Sequence, residues 1–184
     1  MNKPVEWELL ESREVFSAPP WIKVLRERVR LPGGRVVEDY HRIAIADCVI
    51  MYAETDDGRV VVERQYKHGA QNVGLSLPAG AIDAGEDPLL AAQRELLEET
   101  GYEARDWKLA GRYAVNGNYG CGFAYMYLAR GAKRVAEPES GDLEHIEVEL
   151  LDREQLRASI YNGEIHLLGA VTGILLGLNR EGDG

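Results

Sequence analysis

An α/β sandwich on a mixed sheet, preceded by an N-terminal β arm, is the fold class that this sequence predicts. Three observations carry it. Short β-branched and aromatic runs separated by turn residues fill most of the chain, one helical stretch interrupts them, and two more follow the last strand. A chain of 184 residues, 45% of them hydrophobic, is long enough to bury one real core, so a single domain with an N-terminal extension is expected.

Trp7 to Ser17 and Trp21 to Leu31 mix β-branched, aromatic and charged residues on either side of Pro19-Pro20, and read as two half-exposed strands. Pro32-Gly33-Gly34 makes a turn and Arg35 to Tyr40 a partner strand, so residues 1–40 form a β arm with little core of its own. Its strand edges and its large apolar residues, Trp7, Leu9, Phe16, Trp21 and Leu25, need covering, which predicts a dimerisation element and a homodimer. The main domain is expected over 41–179 and a frayed tail over 180–184. Ile43 to Tyr52 reads as a buried strand, Thr55 to Gly58 as its turn and Arg59 to Tyr66 as the returning hairpin strand. Leu75 to Ala79 is a short strand. Trp107 to Val115 and Phe123 to Leu128 are further strands around the loop 116–122, NGNYGCG, and Ile146 to Leu150 is the last. Asp152 opens a helix running to about Tyr161, and His166 to Leu178 is a final apolar helix.

The remaining stretch, Gly80 to Tyr102 (GAIDAGEDPLLAAQRELLEETGY), gathers more acid than packing explains. Asp87 is placed to cap a helix with Pro88 at its first position, and Gly101 to stop it after Thr100. Leu89, Ala92 and Leu96 share an apolar face, with Glu95, Glu98 and Glu99 expected toward the other side. Like charges at these spacings destabilise a helix by about 0.2–0.5 kcal/mol per pair, so a cation should offset them. Arg94 alone gives the plainer account, a solvated charged face. The spacing argues for more: Gly80, Glu86, Arg94-Glu95, Glu98-Glu99 and Gly101 stand at fixed separations, a pattern arising by chance on the order of once in 10⁸ starting points.

Charge and composition narrow the partners. A net charge of −10 and a pI near 4.9 disfavour a nucleic-acid backbone. Cys48 and Cys121 have neither CxxC spacing nor a nearby His pair, so no zinc site or disulfide framework is suggested and a cytoplasmic location is expected. The N-terminal stretch lacks an apolar signal core, and no run approaches the roughly 20 residues of a membrane span, so no membrane partner is expected. His41, His68, His145 and His166 are scattered and read as surface or loop residues.

The Gly80 to Tyr102 pattern resembles the Nudix hydrolase box, with Tyr102 where an aliphatic residue is usual. Arg64-Gln65-Tyr66, Leu77-Pro78-Ala79 and Asp142 to Val148 (DLEHIEV) resemble the ADP-ribose pyrophosphatase branch of that family. Two positions depart from the branch: Ser76 stands where Glu is frequent, and Tyr113 to Gly122 lacks a proline. The resemblance implies a Nudix-type α/β/α sandwich and a Mg²⁺-dependent pyrophosphohydrolase, Mn²⁺ being an alternative metal. Its substrate would be a nucleotide-derived small molecule, ADP-ribose or another nucleotide sugar, split into two phosphate monoesters. By the same resemblance Glu95, Glu99, Glu144 and the Ala79 carbonyl are metal ligands, and Asp142 is the general base, with Glu98 near the metals and next in line as base. Glu86 and Arg94 are the structural pair of the box, and Gly80 and Gly101 shape its backbone. Arg64 is the best placed cation for a substrate phosphate, an ordinary strand-end salt bridge being the alternative. A nucleoside triphosphate or dinucleotide pyrophosphatase is the rival enzyme. An idle nucleotide-binding regulatory module is the rival of another class, and the three intact glutamates argue against it.

Overall fold

The residues described by the computed structural model, 4–139, 141 and 145–179, form eleven strands and three helices. They form two compact units, one of residues 1–47 with 114–123 and one of 48–113 with 124–184.

The first unit is an antiparallel meander of β1 (Glu8–Ala18), β2 (Ile22–Arg30) and β3 (Val36–Ala44). Its largest side chains stay outside: Trp7, Leu9, Val15, Phe16 and Trp21 are all exposed. Val29 and Glu27 of β2 are buried, Glu27 accepting hydrogen bonds from Ser12 (3.2 Å) and Arg42 (3.0 Å). The single strand expected over Ile43 to Tyr52 is broken: β3 ends at Ala44 and β4 begins at Cys48. Asp47 interrupts it, because its carboxylate accepts from the Phe123 N–H (2.9 Å), a tie 76 residues away in sequence.

The second unit is the mixed sheet. Its strand order is β10 (Gly120–Arg134), β4 (Cys48–Thr55), β5 (Val60–Lys67), β11 (Glu147–Leu151), with β10 parallel to β4 and β5 antiparallel to β11. The hairpin expected between β4 and β5 pairs only at Glu54 and Val60. Beyond that point β6 (Asn72–Ser76) takes the β5 edge and β7 (Ala79–Ala81) the β4 edge. The expected strand Leu75 to Ala79 is thus two strands bent at Leu77-Pro78. Short β8 (Tyr102–Glu103) and long β9 (Asp106–Asn116) pair with β10.

Period-two alternation gives the sheet two apolar faces. On one, Ile50, Tyr52, Val60, Val62, Leu75 and Leu77 pack with Leu156 of α2 (Arg153–Tyr161) and with Ile174 and Leu178 of α3 (Leu168–Leu178). On the other, Val49, Met51, Ala53 and Val61 pack with Ala91, Ala92 and Leu96 of α1 (Pro88–Thr100). The result is an α/β/α sandwich. The start of α2 is set by a capping box, with Asp152 accepting from Glu154 and Gln155 N–H while the Gln155 side chain accepts from Asp152 N–H. Among the described residues no helix is long and apolar enough to cross a membrane.

Candidate active site

α1 is held at both ends by the residues expected to do so. Asp87 caps it through Leu89 N–H (2.9 Å) and Leu90 N–H (3.3 Å), with Pro88 as the first helical residue. Gly101 ends it in the left-handed region, at a φ of 72°, and a Cβ there would stand 2.2 Å from the Ala136 carbonyl oxygen. Glycine is therefore required at this position both by conformation and by space.

Arg94 organises the loop in front of the helix. Its guanidinium donates to both Glu86 oxygens (2.9 Å each), to the Ala81 carbonyl (3.2 Å), to Glu95 (2.7 Å) and to Glu98 (3.1 Å). Glu86 in turn accepts from the Asp83 N–H (3.0 Å), and the Arg94 hydrogen bond holds its pKa below the usual carboxylate value. Arg94 thus supplies much of the offsetting charge that the acid-rich helix demanded. It does so for Glu86, Glu95 and Glu98.

Glu99 is different. It was expected on the open side of α1 but lies on the buried side with Ala91, Ala92, Leu96 and Thr100, at 4% exposure. Spacing accounts for this, since Glu99 follows Leu96 by three residues and so shares its face. Its carboxylate accepts the Ala79 N–H (2.9 Å). Burial first, and then the negative charge of Glu63, push its pKa up to about 10. Glu95, 14% exposed at its side chain, sits against Gly80, where a Cβ would stand 2.0 Å from the carboxyl carbon. The α1 acids therefore meet the Ala79-Gly80 backbone of β7, with Glu98 at the more open rim, 44% exposed at its side chain.

Ala79 meets these acids through its N–H. Arg64 does not point free toward a ligand: it donates to Glu149 of β11 (2.6 Å) and to Glu164 (3.1 Å), as a strand-end salt bridge would. Asp142 and Glu144 lie outside the described residues, as does the 180–184 tail. Two residues that sequence reasoning passed over join the site. Glu63 is fully buried and Gln65 is 4% exposed, with Gln65 Nε2 donating to Glu63 (2.9 Å). The signal was there, because Val61, Glu63 and Gln65 alternate in phase on β5 and the first of them is core.

Among the described residues no three His, Cys, Asp or Glu side chains converge into a complete metal site. The chemistry of the donors nevertheless fits a hard divalent cation. They are all oxygen, and a buried Glu99 raised by a neighbouring carboxylate is an environment that a dication would relieve.

The comparisons agree with this geometry. The model of the NUDIX domain matches residues 42–168, and that of the nucleoside diphosphate sugar hydrolase N-terminal domain matches residues 7–43. A methanol dehydrogenase activator from Bacillus methanolicus is 28% identical over 134 residues, covering 73% of this chain and 71% of that protein. An ADP-ribose pyrophosphatase from Bacillus subtilis is 27% identical over 158 residues, 84% of each chain. A solved structure of an ADP compounds hydrolase superposes with a TM-score of 0.82 at 18% identity, covering 96% of this chain and 94% of that one, which is a likeness of fold. With the box helix, its Arg94 tie and the sandwich around them matched over most of its length, this chain belongs to the Nudix family.

Proposed function

We propose that this protein is a Mg²⁺-dependent pyrophosphohydrolase that cleaves a nucleoside diphosphate derivative, ADP-ribose or another nucleotide sugar, into two phosphate monoesters. One observation carries the reading: Glu95 and Glu99 are brought together against the Ala79-Gly80 backbone, with Glu99 buried. The match of residues 7–43 to a nucleoside diphosphate sugar hydrolase N-terminal domain, and the Bacillus subtilis relative, support the substrate class.

When bound, a divalent cation neutralises pyrophosphate charge and lowers the pKa of a bound water. Glu95 and Glu99 would hold it, with Glu98 at the rim, the Ala79 carbonyl as a further donor and Glu144 completing the set. Arg94 keeps Glu95 and Glu98 oriented while fixing the box loop through Glu86 and Ala81. Asp142 is assigned as the base that takes a proton from the attacking water, with Glu98 next in line. The water oxygen bonds to one phosphorus, the bridging P–O bond breaks, and the departing phosphate keeps that oxygen. Arg64, held by Glu149 and Glu164, is assigned to the framework of the sheet and not to the substrate. The exposed apolar residues of β1 and the unpaired outer edge of that strand support a homodimer built through residues 1–40. Two free cysteines are compatible with a cytoplasmic location.

Incubating the purified protein with ADP-ribose and other nucleoside diphosphate derivatives, in Mg²⁺ or in EDTA, tests the reading. AMP and ribose 5-phosphate should appear from ADP-ribose in Mg²⁺ only. Release of pyrophosphate from nucleoside triphosphates, with nucleotide sugars untouched, would move the protein to the rival enzyme class.

A further inference from the structure

Beside the β5–β6 ladder, Gln65 Oε1 and both ring nitrogens of His166 are buried and have no hydrogen-bond partner among the described residues. Gln65 is 4% exposed, and its other amide atom, Nε2, donates to Glu63 (2.9 Å). His166 was expected among the surface or loop histidines, yet its ring nitrogens are drawn in.

The ladder brings these groups to one rung. Gly74 of β6 stands directly across from Gln65, so a side chain at 74 would project from the same face of the sheet as Gln65, the face of Val61 that packs against α1. That place is already taken. A Cβ on Gly74 would stand 2.4 Å from Cε1 and 2.5 Å from Nδ1 of His166, and 2.6 Å from the Glu164 carbonyl oxygen. The imidazole therefore fills the rung in place of a β6 side chain and faces Gln65. Leu75 N–H holds the segment there by donating to the Glu164 carbonyl (2.9 Å), while Ile165 enters the apolar cluster of the other face.

The groups at this rung are complementary. An imidazole has an N–H donor in either tautomer, Gln65 Oε1 is an acceptor, and the Glu164 carbonyl keeps a second lone pair beyond the one that Leu75 uses. Buried polar atoms left unpaired are costly, and an internal water satisfies about three of them. We propose that His166 and Gln65 bind one ordered water between them. It accepts from the imidazole N–H and donates to Gln65 Oε1 and to the Glu164 carbonyl. A donor held at Oε1 also fixes the direction of the amide, so that Nε2 stays turned to Glu63. His166, just ahead of α3, thereby ties the segment that leads into that helix to the polar cluster on the α1 face.

Thermal unfolding of the full chain and a crystal structure test this site. His166→Phe keeps the bulk of a ring and removes both nitrogens. With the water in place the change strands Gln65 Oε1, and Tm should fall by about 2–4 °C, roughly the loss of one hydrogen bond. At a dry contact it would remove two unpaired polar atoms and raise Tm. In a Gln65→Met background the water has already lost its acceptor, so His166→Phe should lower Tm little further. A crystal structure of the wild type should show a water within about 3.2 Å of Gln65 Oε1 and of a His166 ring nitrogen. A raised Tm in His166→Phe, an equal fall in both backgrounds, or a well-resolved rung without that water would each overturn the proposal.

Discussion

The two faces of the central sheet are built from the same strands to different ends. Toward α2 and α3, Ile50, Tyr52, Val60, Val62, Leu75 and Leu77 meet helix residues of the same kind, and the cluster is apolar throughout. Toward α1 the packing begins likewise with Val49, Met51 and Val61, but along β5 it passes to the buried Glu63 and Gln65, and the charge of Glu63 bears on Glu99 of α1. A single strand, VVVERQYK, thus supplies hydrocarbon to one face and a buried polar cluster to the other. Buried carboxylates are costly unless something compensates them, so the two faces differ in kind: the α2/α3 face is apolar packing throughout, and the α1 face combines apolar packing with buried acid.

That contrast can be broken by substitution on either side. Ile174→Ala removes a fully buried side chain from the apolar face, and should cost about 2–5 kcal/mol in chemical denaturation while leaving kcat per folded molecule unchanged. A fall in kcat at full folding would show that the faces are not separable. Gly80→Ala should do the opposite. Its new Cβ would meet the Glu95 carboxylate, the far end of a flexible side chain, so the fold should survive while the carboxylate is displaced. A misplacement of about 1 Å in a reacting site costs roughly 100-fold, and kcat in Mg²⁺ should fall by that order with Tm little changed. The smallest effect belongs to the β4–β5 turn, which serves neither face. Asp57, hydrogen-bonded by Arg59 and Thr55, has its pKa lowered from 3.8 to about 2. A depressed carboxylate stabilises above its unfolded pKa and loses that contribution as pH falls through the folded one. Asp57→Asn should therefore lower Tm slightly at neutral pH, with the difference from wild type shrinking below pH 3.8 and activity untouched.

Much of α1 was legible because its determinants are local: a capping Asp87, Pro88, a terminating Gly101 and an arginine eight residues after Glu86. The start of α2 at Asp152 was readable for the same reason. The misplacement of Glu99 came from weighing its charge above its spacing, since three residues beyond Leu96 it had to turn inward. What stayed hidden depends on partners distant in sequence. Asp47 breaks a strand by binding Phe123 N–H, Arg64 is claimed by Glu149 and Glu164, and β4 finds its parallel partner in β10. None of these pairings leaves a mark within a short window of sequence.

The central claim is that the acidic side of α1 exists to hold a divalent cation, and Glu99 tests it most directly. Glu99→Gln keeps the shape of the side chain and removes its charge. Followed by phosphate monoester release from ADP-ribose in Mg²⁺, its kcat should drop by about 10²–10³-fold or more, while Tm in EDTA holds or rises because a buried charge has been removed. Turnover near that of the wild type in Mg²⁺ would contradict the account.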